Sequence, residues 1–291
     1  MTSILQSIRS PEPTFSIELW PARTVEATVR LNAALPVITS LEPTFMSITY
    51  GAGGSTRDRT HGLVVRIVHE TGLDAVAHLT CASHTRQELE WILDRYRRAG
   101  VSTILALRGD PPLDGQSELK DGELKHAVEL VRLARQTGDF TVAVAAHPEG
   151  HPNASSRAED EGHFVAKLEE ADFAISQFFF TEDVYLDFVE RVRAKGATKP
   201  ILPGIMAPKS VNGLFKMSEL SGASIPAPMR AEFLRFADDP VSIRRLGVDV
   251  AISLARRLLE AGVPGVHIYS MNSLESTVEI HEGIADLLVV E

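Results

Sequence analysis

Several short apolar runs in this chain end in polar residues, and those ends hold the groups that could do chemistry. Glu18 lies in FSIEL, Thr49 in FMSITYG, and His78 and Thr80 in AVAHLTC. Arg108, Gly109 and Asp110 break the run STILAL before two prolines. His147, Glu149 and His151 follow TVAVAA, Gln177 sits inside FAISQFFF, and Tyr269 and Asn272 close GVHIYSMN. Glu18 stands among Phe15, Ile17 and Leu19. Desolvation there would raise its pKa and suit it to give up a proton near neutral pH. The same position could hold a buried ion pair with Arg108, and both readings stay open. Asp110 could act at a site or cap the turn that Gly109 and Pro111 make. Gln177 needs hydrogen-bond partners inside its apolar run, structural or from a ligand. His147 and His151 are four apart, but Pro148 and Pro152 forbid the helix that would align them, so the pattern is not a metal site. The glycines of YGAGGST could cradle a phosphate, although a lone glycine-rich turn says little.

The elements that must position these groups repeat about every thirty residues. Strands are expected at 15–19, 45–51, 75–81, 103–107, 141–146, 173–180, 201–207 and 265–271. Helical spacing falls between them. Residues 23–35 carry Val25, Val29 and Ala33 on one face. Ser55 or Thr56 can cap the next helix, and a third opens near Ser83 with Leu89, Ile92 and Tyr96. Further helices are expected at 124–135, 156–170, 182–195, 241–261 and 273–288, with a proline-rich break at IPAP. Strands joined by crossover helices are parallel, and eight of them in this length predict a (β/α)8 TIM barrel, one domain over 1–291. An open doubly wound sheet is the competitor, but no G-x-G-x-x-G follows the first strand. In a barrel the site lies at the C-terminal strand ends, where the polar residues above collect.

Of 291 residues, 44% are apolar, enough for a sizeable core, and the net charge of -10 argues against nucleic-acid or anionic-membrane partners. A small anionic ligand stays compatible with that charge. The single cysteine, Cys81, excludes an intrachain disulfide and fits a reducing compartment. The stretch MTSILQSIRSPEPT has no run suited to a signal peptide or a membrane span. A soluble cytoplasmic protein is expected.

The motifs FSIELWP, SITYGAGGSTRDRT, HLTC, LALRGDPP, the AA-x-PE-x-HP turn, QFFF, PGIM and H-x-Y-x-x-N occur here in one order. In that order and spacing the chain resembles the methylenetetrahydrofolate reductases, from about Phe15 to the last helix, in their lone-barrel bacterial form. The resemblance implies reduction of 5,10-methylenetetrahydrofolate to 5-methyltetrahydrofolate by NADH or NADPH, through an N5-iminium ion. It makes Glu18 the acid at N10 and Asp110 the carboxylate that steadies the cation. It places Thr49 and Gln177 at the pterin and Phe215 against the ligand. It implies bound FAD, contacted by His78, Arg108, Gly109, Asp110, His151, Asp160 and Lys167. Three contact positions depart from the pattern: His126 and His147 stand where tyrosine is usual, and His163 where asparagine is usual. Either these histidines substitute and FAD stays, or NADH passes hydride directly to the iminium carbon. Ser273 stands where arginine usually anchors the folate or its glutamate tail. A folate reductase using another carrier such as a deazaflavin, or a non-catalytic folate-binding barrel, are the alternatives. Glu18, Asp110 and Gln177 together speak against a mere binder. Relatives are often dimers or tetramers, which leaves a homo-oligomer open.

Overall fold

The structure, a computed structural model, describes residues 3–51, 56–109 and 122–289. Asp110, the prolines after it, and Gly53 and Gly54 lie outside the described residues. Helix α1 (Ile4–Ile8) precedes β1 (Thr14–Leu19), α2 (Val25–Ser40), β2 (Phe45–Ile48) and α3 (Arg57–Thr71). Next come β3 (Ala75–Thr80), α4 (Arg86–Arg98), β4 (Thr103–Leu107), α5 (Ala127–Thr137), β5 (Thr141–Ala146) and α6 (Arg157–Glu170). The chain continues through β6 (Phe173–Phe178), α7 (Glu182–Ala194), β7 (Ile201–Met206), α8 (Val211–Ser221) and α9 (Ala227–Arg235). It ends with α10 (Pro240–Glu260), β8 (Gly265–Tyr269), α11 (Leu274–Glu282) and α12 (Ala285–Leu288). Among the described residues the eight strands are all parallel and close into a barrel, β8 pairing back onto β1. The (β/α)8 architecture is the expected one.

The strands are buried on both faces, as a parallel barrel requires. Outward residues such as Ile17, Leu19, Ile48 and Leu79 join the helices in one core. Inward residues Phe45, Val76, Leu105, Phe173 and Leu202 form a second cluster, closed by Ile4 and Ile8 of α1. This short helix was not expected from the sequence. Its Ser3–Gln6 capping box holds a five-residue helix together while two isoleucines close one end of the barrel.

Three expectations about helices need correction. Val25 and Val29 are 76% and 62% exposed, and Ala33 is exposed too, so the face they share looks outward. Leu31, Ala34, Leu35 and Ile38 form the buried face of α2 instead. The helix after β3 begins at its Thr85 cap, because Ser83 adopts a left-handed φ of 63° and cannot lie in it. The last helical region is two helices, parted at Gly283 and Ile284.

The strand with an internal proline has a consequence for the site. Between the pairs Ile175–Leu202 and Phe178–Gly204, β6 carries two residues and β7 only Pro203. Proline has no N–H for the ladder, so β6 bulges at Ser176 and Gln177. The Gly204 N–H donates to Ser176 Oγ at 2.9 Å, and the Tyr269 hydroxyl donates to the Ser176 carbonyl at 2.6 Å. A methyl group on Gly204 would meet that carbonyl at 2.3 Å and the Tyr269 ring at 2.5 Å. Gly204→Ala should therefore lower the unfolding free energy by about 1–3 kcal/mol or more. Gly62→Ala, in the middle of α3 with open space beside it, should instead stabilise by roughly 0.5–1 kcal/mol. Urea unfolding of both variants reads the contrast; equal effects would mean that the bulge has room to spare.

Candidate active site

Glu18 is the last inward-facing residue of β1, in register with Ser47 of β2 and Tyr269 of β8. Its carboxyl is buried, and desolvation pushes it up to about 8, against a smaller opposing effect of one hydrogen bond. That bond comes from the Trp20 indole, whose Nε1 donates to Oε1 at 3.1 Å. The other oxygen, Oε2, lies 3.6 Å from His78 Nε2 on β3. Burial pushes His78 down to about 3, and among the described residues its Nε2 has no hydrogen-bond partner. At neutral pH the pair is thus a carboxylic acid facing a neutral imidazole, not a salt bridge. Arg108 is exposed and makes no ion pair with Glu18, so of the two readings the geometry favours the acid.

One layer deeper, His267 donates or accepts at both ring nitrogens, to Ser16 Oγ at 2.8 Å and Ser47 Oγ at 3.2 Å, and stacks on Phe45. Burial, helped by the charge of His78, pushes it down to about 3. Tyr269 is raised well above its ordinary value by burial and by the nearby Glu18 charge. The floor beneath Glu18 is therefore polar, fully hydrogen-bonded and uncharged.

The remaining expected residues fall into two groups. Thr49, half-buried just past the end of β2, donates its N–H to Leu19 and accepts from Thr60 at its carbonyl. Gln177 sits on the β6 bulge, where its carboxamide oxygen accepts from the Phe178 N–H at 3.0 Å. Beside it, His147, Pro148, Glu149, Gly150, Phe178, Ser221 and Ala223 line a small cleft. His147 meets His151 edge to face at 4.8 Å, and burial pushes His147 down to about 3, aided by Lys167 and His151. Lys167 donates to the Ala145 carbonyl at 2.8 Å, and burial lowers it to about 8 against the pull of Asp160. Asp160 in turn accepts from the His151 N–H at 2.9 Å. Phe215, on α8, is half-buried under the Arg230 guanidinium at 4.8 Å. His126 caps α5 at an exposed position, and His163 is exposed on the stripe of α6 that carries Asp160 and Lys167. Gly109 has φ of 98°, and a Cβ there would sit 3.0 Å from Ala82 and Thr80, so its backbone lies tight on β3.

The profile of the methylenetetrahydrofolate reductase family matches residues 3–285. The chain belongs to this family. It is similar to the 5,10-methylenetetrahydrofolate reductase of Escherichia coli K12, 36% identical over 267 residues that cover 91% of this chain and 88% of that one. It is similar at 35% identity over 266 residues to the enzyme of the same name from Pectobacterium carotovorum. Among solved structures, a Clostridium thermocellum protein that binds two copies of 5-methyl-5,6,7,8-tetrahydrofolic acid superposes with a TM-score of 0.63 at 15% identity, over 99% of this chain and all of that one. The dihydropteroate synthase of Xanthomonas albilineans in complex with 7,8-dihydropteroate gives 0.53 at 15%, over 97% and 96%. At such identities these likenesses show the barrel alone. No helix among the described residues is long and apolar enough to cross a membrane.

For a chain of the methylenetetrahydrofolate reductase family, the geometry adds residues that the sequence reading passed over. Trp20 belongs to the FSIELWP motif, and its indole is the hydrogen-bond donor to Glu18. His267 and Ser270 were likewise not singled out, although inward parity on β8 (residues 265, 267 and 269) pointed to His267. Ser273 serves as the N-cap of α11, its hydroxyl on Ser276, while Lys209 brings an ammonium to the Met271 carbonyl at 3.3 Å.

The raised Glu18 pKa has a measurable consequence for stability. Between pH 4.5 and about 8 the unfolded chain has released this proton and the folded chain has kept it. The folded state thus binds the extra proton, and stability from this group falls as pH rises through that window, by a few kcal/mol in all. Glu18→Gln does not titrate there. The unfolding free energy of the variant should gain steadily on the wild type between about pH 5 and pH 8. A difference independent of pH would mean that the folded carboxyl is already ionised.

Proposed function

We propose that this chain reduces 5,10-methylenetetrahydrofolate to 5-methyltetrahydrofolate at the mouth of the barrel, with Glu18 as the proton donor. The observation that carries the reading is a buried carboxyl, protonated at neutral pH, at the C-terminal end of β1. Opening the five-membered ring requires a proton at N10 as the carbon–N10 bond breaks. The lone pair on N5 then forms the iminium ion, and a hydride that originates in reduced nicotinamide adds to its carbon to leave the methyl group. An acid with a pKa near 8 holds its proton until substrate arrives yet is strong enough to give it up. The resulting carboxylate keeps the Trp20 N–H as a partner. Gln177 and Thr49 orient the pterin by hydrogen bonds, Phe215 gives it an apolar wall, and Asp110, outside the described residues, offsets the cation. Lys209 supplies positive charge for the substrate's glutamate, close to where Ser273 lacks it.

The donor set beyond β3, β4 and β5 fits FAD. Arg108 and Lys167 are cations suited to a pyrophosphate, and Gly109, His78, His147, His151 and Asp160 supply hydrogen-bonding groups around them. The chemistry FAD supplies when bound is a two-electron relay between nicotinamide and folate. Of the three histidine departures, His126 and His163 are exposed and His147 is half-buried. His147 alone stands at the inner wall.

Glu18→Gln should lower the rate of methylenetetrahydrofolate reduction on the order of 10²–10⁴-fold while folate still binds. Equal rates in the two proteins would remove Glu18 from the mechanism. A visible absorption titration with FAD, followed by NADH and NADPH oxidation with methylenetetrahydrofolate, should show a flavin band and turnover. Turnover without flavin uptake would mean direct hydride transfer, and folate binding without turnover would leave a binding protein.

A further inference from the structure

We propose that Asn272 and Trp20 form a clamp that fixes the Glu18 carboxyl and favours its ionised form, making both of them positioning residues for the proton transfer. The role in proton transfer rests on the function proposed above; the clamp itself is a matter of geometry. The β1–β8 ladder ends at the Glu18–Tyr269 pair. Beyond it, the Asn272 side chain takes over the work of a strand. The Trp20 N–H donates to Asn272 Oδ1 at 2.8 Å, and Asn272 Nδ2 donates to the Trp20 carbonyl at 2.8 Å. Ser270 Oγ donates to the Glu18 carbonyl and accepts from the Asn272 N–H at 3.1 Å. To bring the amide there, Met271 and Asn272 adopt consecutive left-handed backbones, with φ of 49° and 54°. Asparagine tolerates this conformation, but it is costly for Met271 and persists where the surroundings demand it.

The result is an indole that is 38% exposed yet turns its N–H to a buried carboxyl. An indole N–H can only donate, so it binds a carboxylate better than a carboxylic acid. Among the described residues, the titratable groups facing Glu18 cannot replace it. His78, from β3, is a neutral ring 3.6 Å away. From β8, the Tyr269 hydroxyl is committed to Ser176, and His267 to Ser16 and Ser47. The clamp thus acts against burial and keeps the acid from becoming too weak to protonate a substrate nitrogen.

The test is a carbon-13 NMR titration of carboxyl-labelled glutamate, with the Glu18 signal assigned by its loss in E18Q. It is run on the wild type, Trp20→Phe, Asn272→Ala and the double variant, beside pH profiles of kcat. Trp20→Phe keeps a ring and loses the donor, so the Glu18 titration should move up by about one pH unit. Asn272→Ala should move it in the same direction and by no more, and the double variant should match Trp20→Phe alone. Where turnover is measured, kcat should fall with KM little changed. An unmoved Glu18 titration in Trp20→Phe overturns the clamp, as do additive shifts in the double variant. So does a loss of kcat with the titration unmoved, which marks a merely structural role. Because the NMR signal needs no turnover, a chain that failed to reduce methylenetetrahydrofolate would sink the proposed function and leave this test standing.

Discussion

Keeping one carboxyl out of water at the end of β1 is the constraint on which the rest of the barrel mouth depends. An ionised group in that position would be unfavourable by several kcal/mol, so Glu18 keeps its proton instead. The neighbours comply with that choice. His78 and His267 are neutral for the same reason, while Ser16 and Ser47 satisfy both ring nitrogens of His267 without adding charge. A single cation in this layer would draw Glu18 back to an ordinary acid. Arg108 stays exposed and Lys167 binds the Ala145 carbonyl, so neither enters it.

The same constraint links the proline in β7 to the site. Pro203 has no N–H for the ladder, so β6 bulges and shows Gln177 at the mouth. The Ser176 carbonyl, freed by the bulge, then accepts from Tyr269, whose ring fills the space that Gly204 leaves open. Tyr269 pairs across the ladder with Glu18. A backbone defect on one side of the barrel thus fixes the polar wall beside the acid on the other.

Much of this was legible in the sequence, because a doubly buried parallel strand leaves a continuous apolar run that breaks sharply at its end. The positions of Glu18, His78, Arg108, His147 and Gln177 at those breaks followed directly. The exposed apolar stripe of α2 did not. Val25, Val29 and Ala33 recur with helical spacing, but so do Leu31, Leu35 and Ile38, and periodicity alone cannot say which stripe meets the barrel. Helix α1 is too short for periodicity and becomes visible only when the inward cluster at that end of the barrel is seen to need a cover. Trp20 was hidden for another reason: its contact with Glu18 depends on Asn272, some 250 residues away, and on two left-handed residues that no local pattern announces.

The histidines at the other side of the mouth show how position changes the meaning of a substitution. His126 and His163, met as letters, look equivalent to His147. In the fold, the first caps α5 at an exposed position, and the second is exposed on the stripe of α6 that carries Asp160 and Lys167. His147 is different, since it packs against His151 within reach of the Lys167 charge. Burial and that charge both oppose its protonation, so it remains a neutral ring with one donor and one acceptor. A tyrosine there would also be neutral and would also offer one hydroxyl donor and acceptor. The exchange therefore alters size and reach while keeping the charge balance around Lys167 and Asp160. On the reading proposed here, that balance is what a dinucleotide's phosphates would meet first.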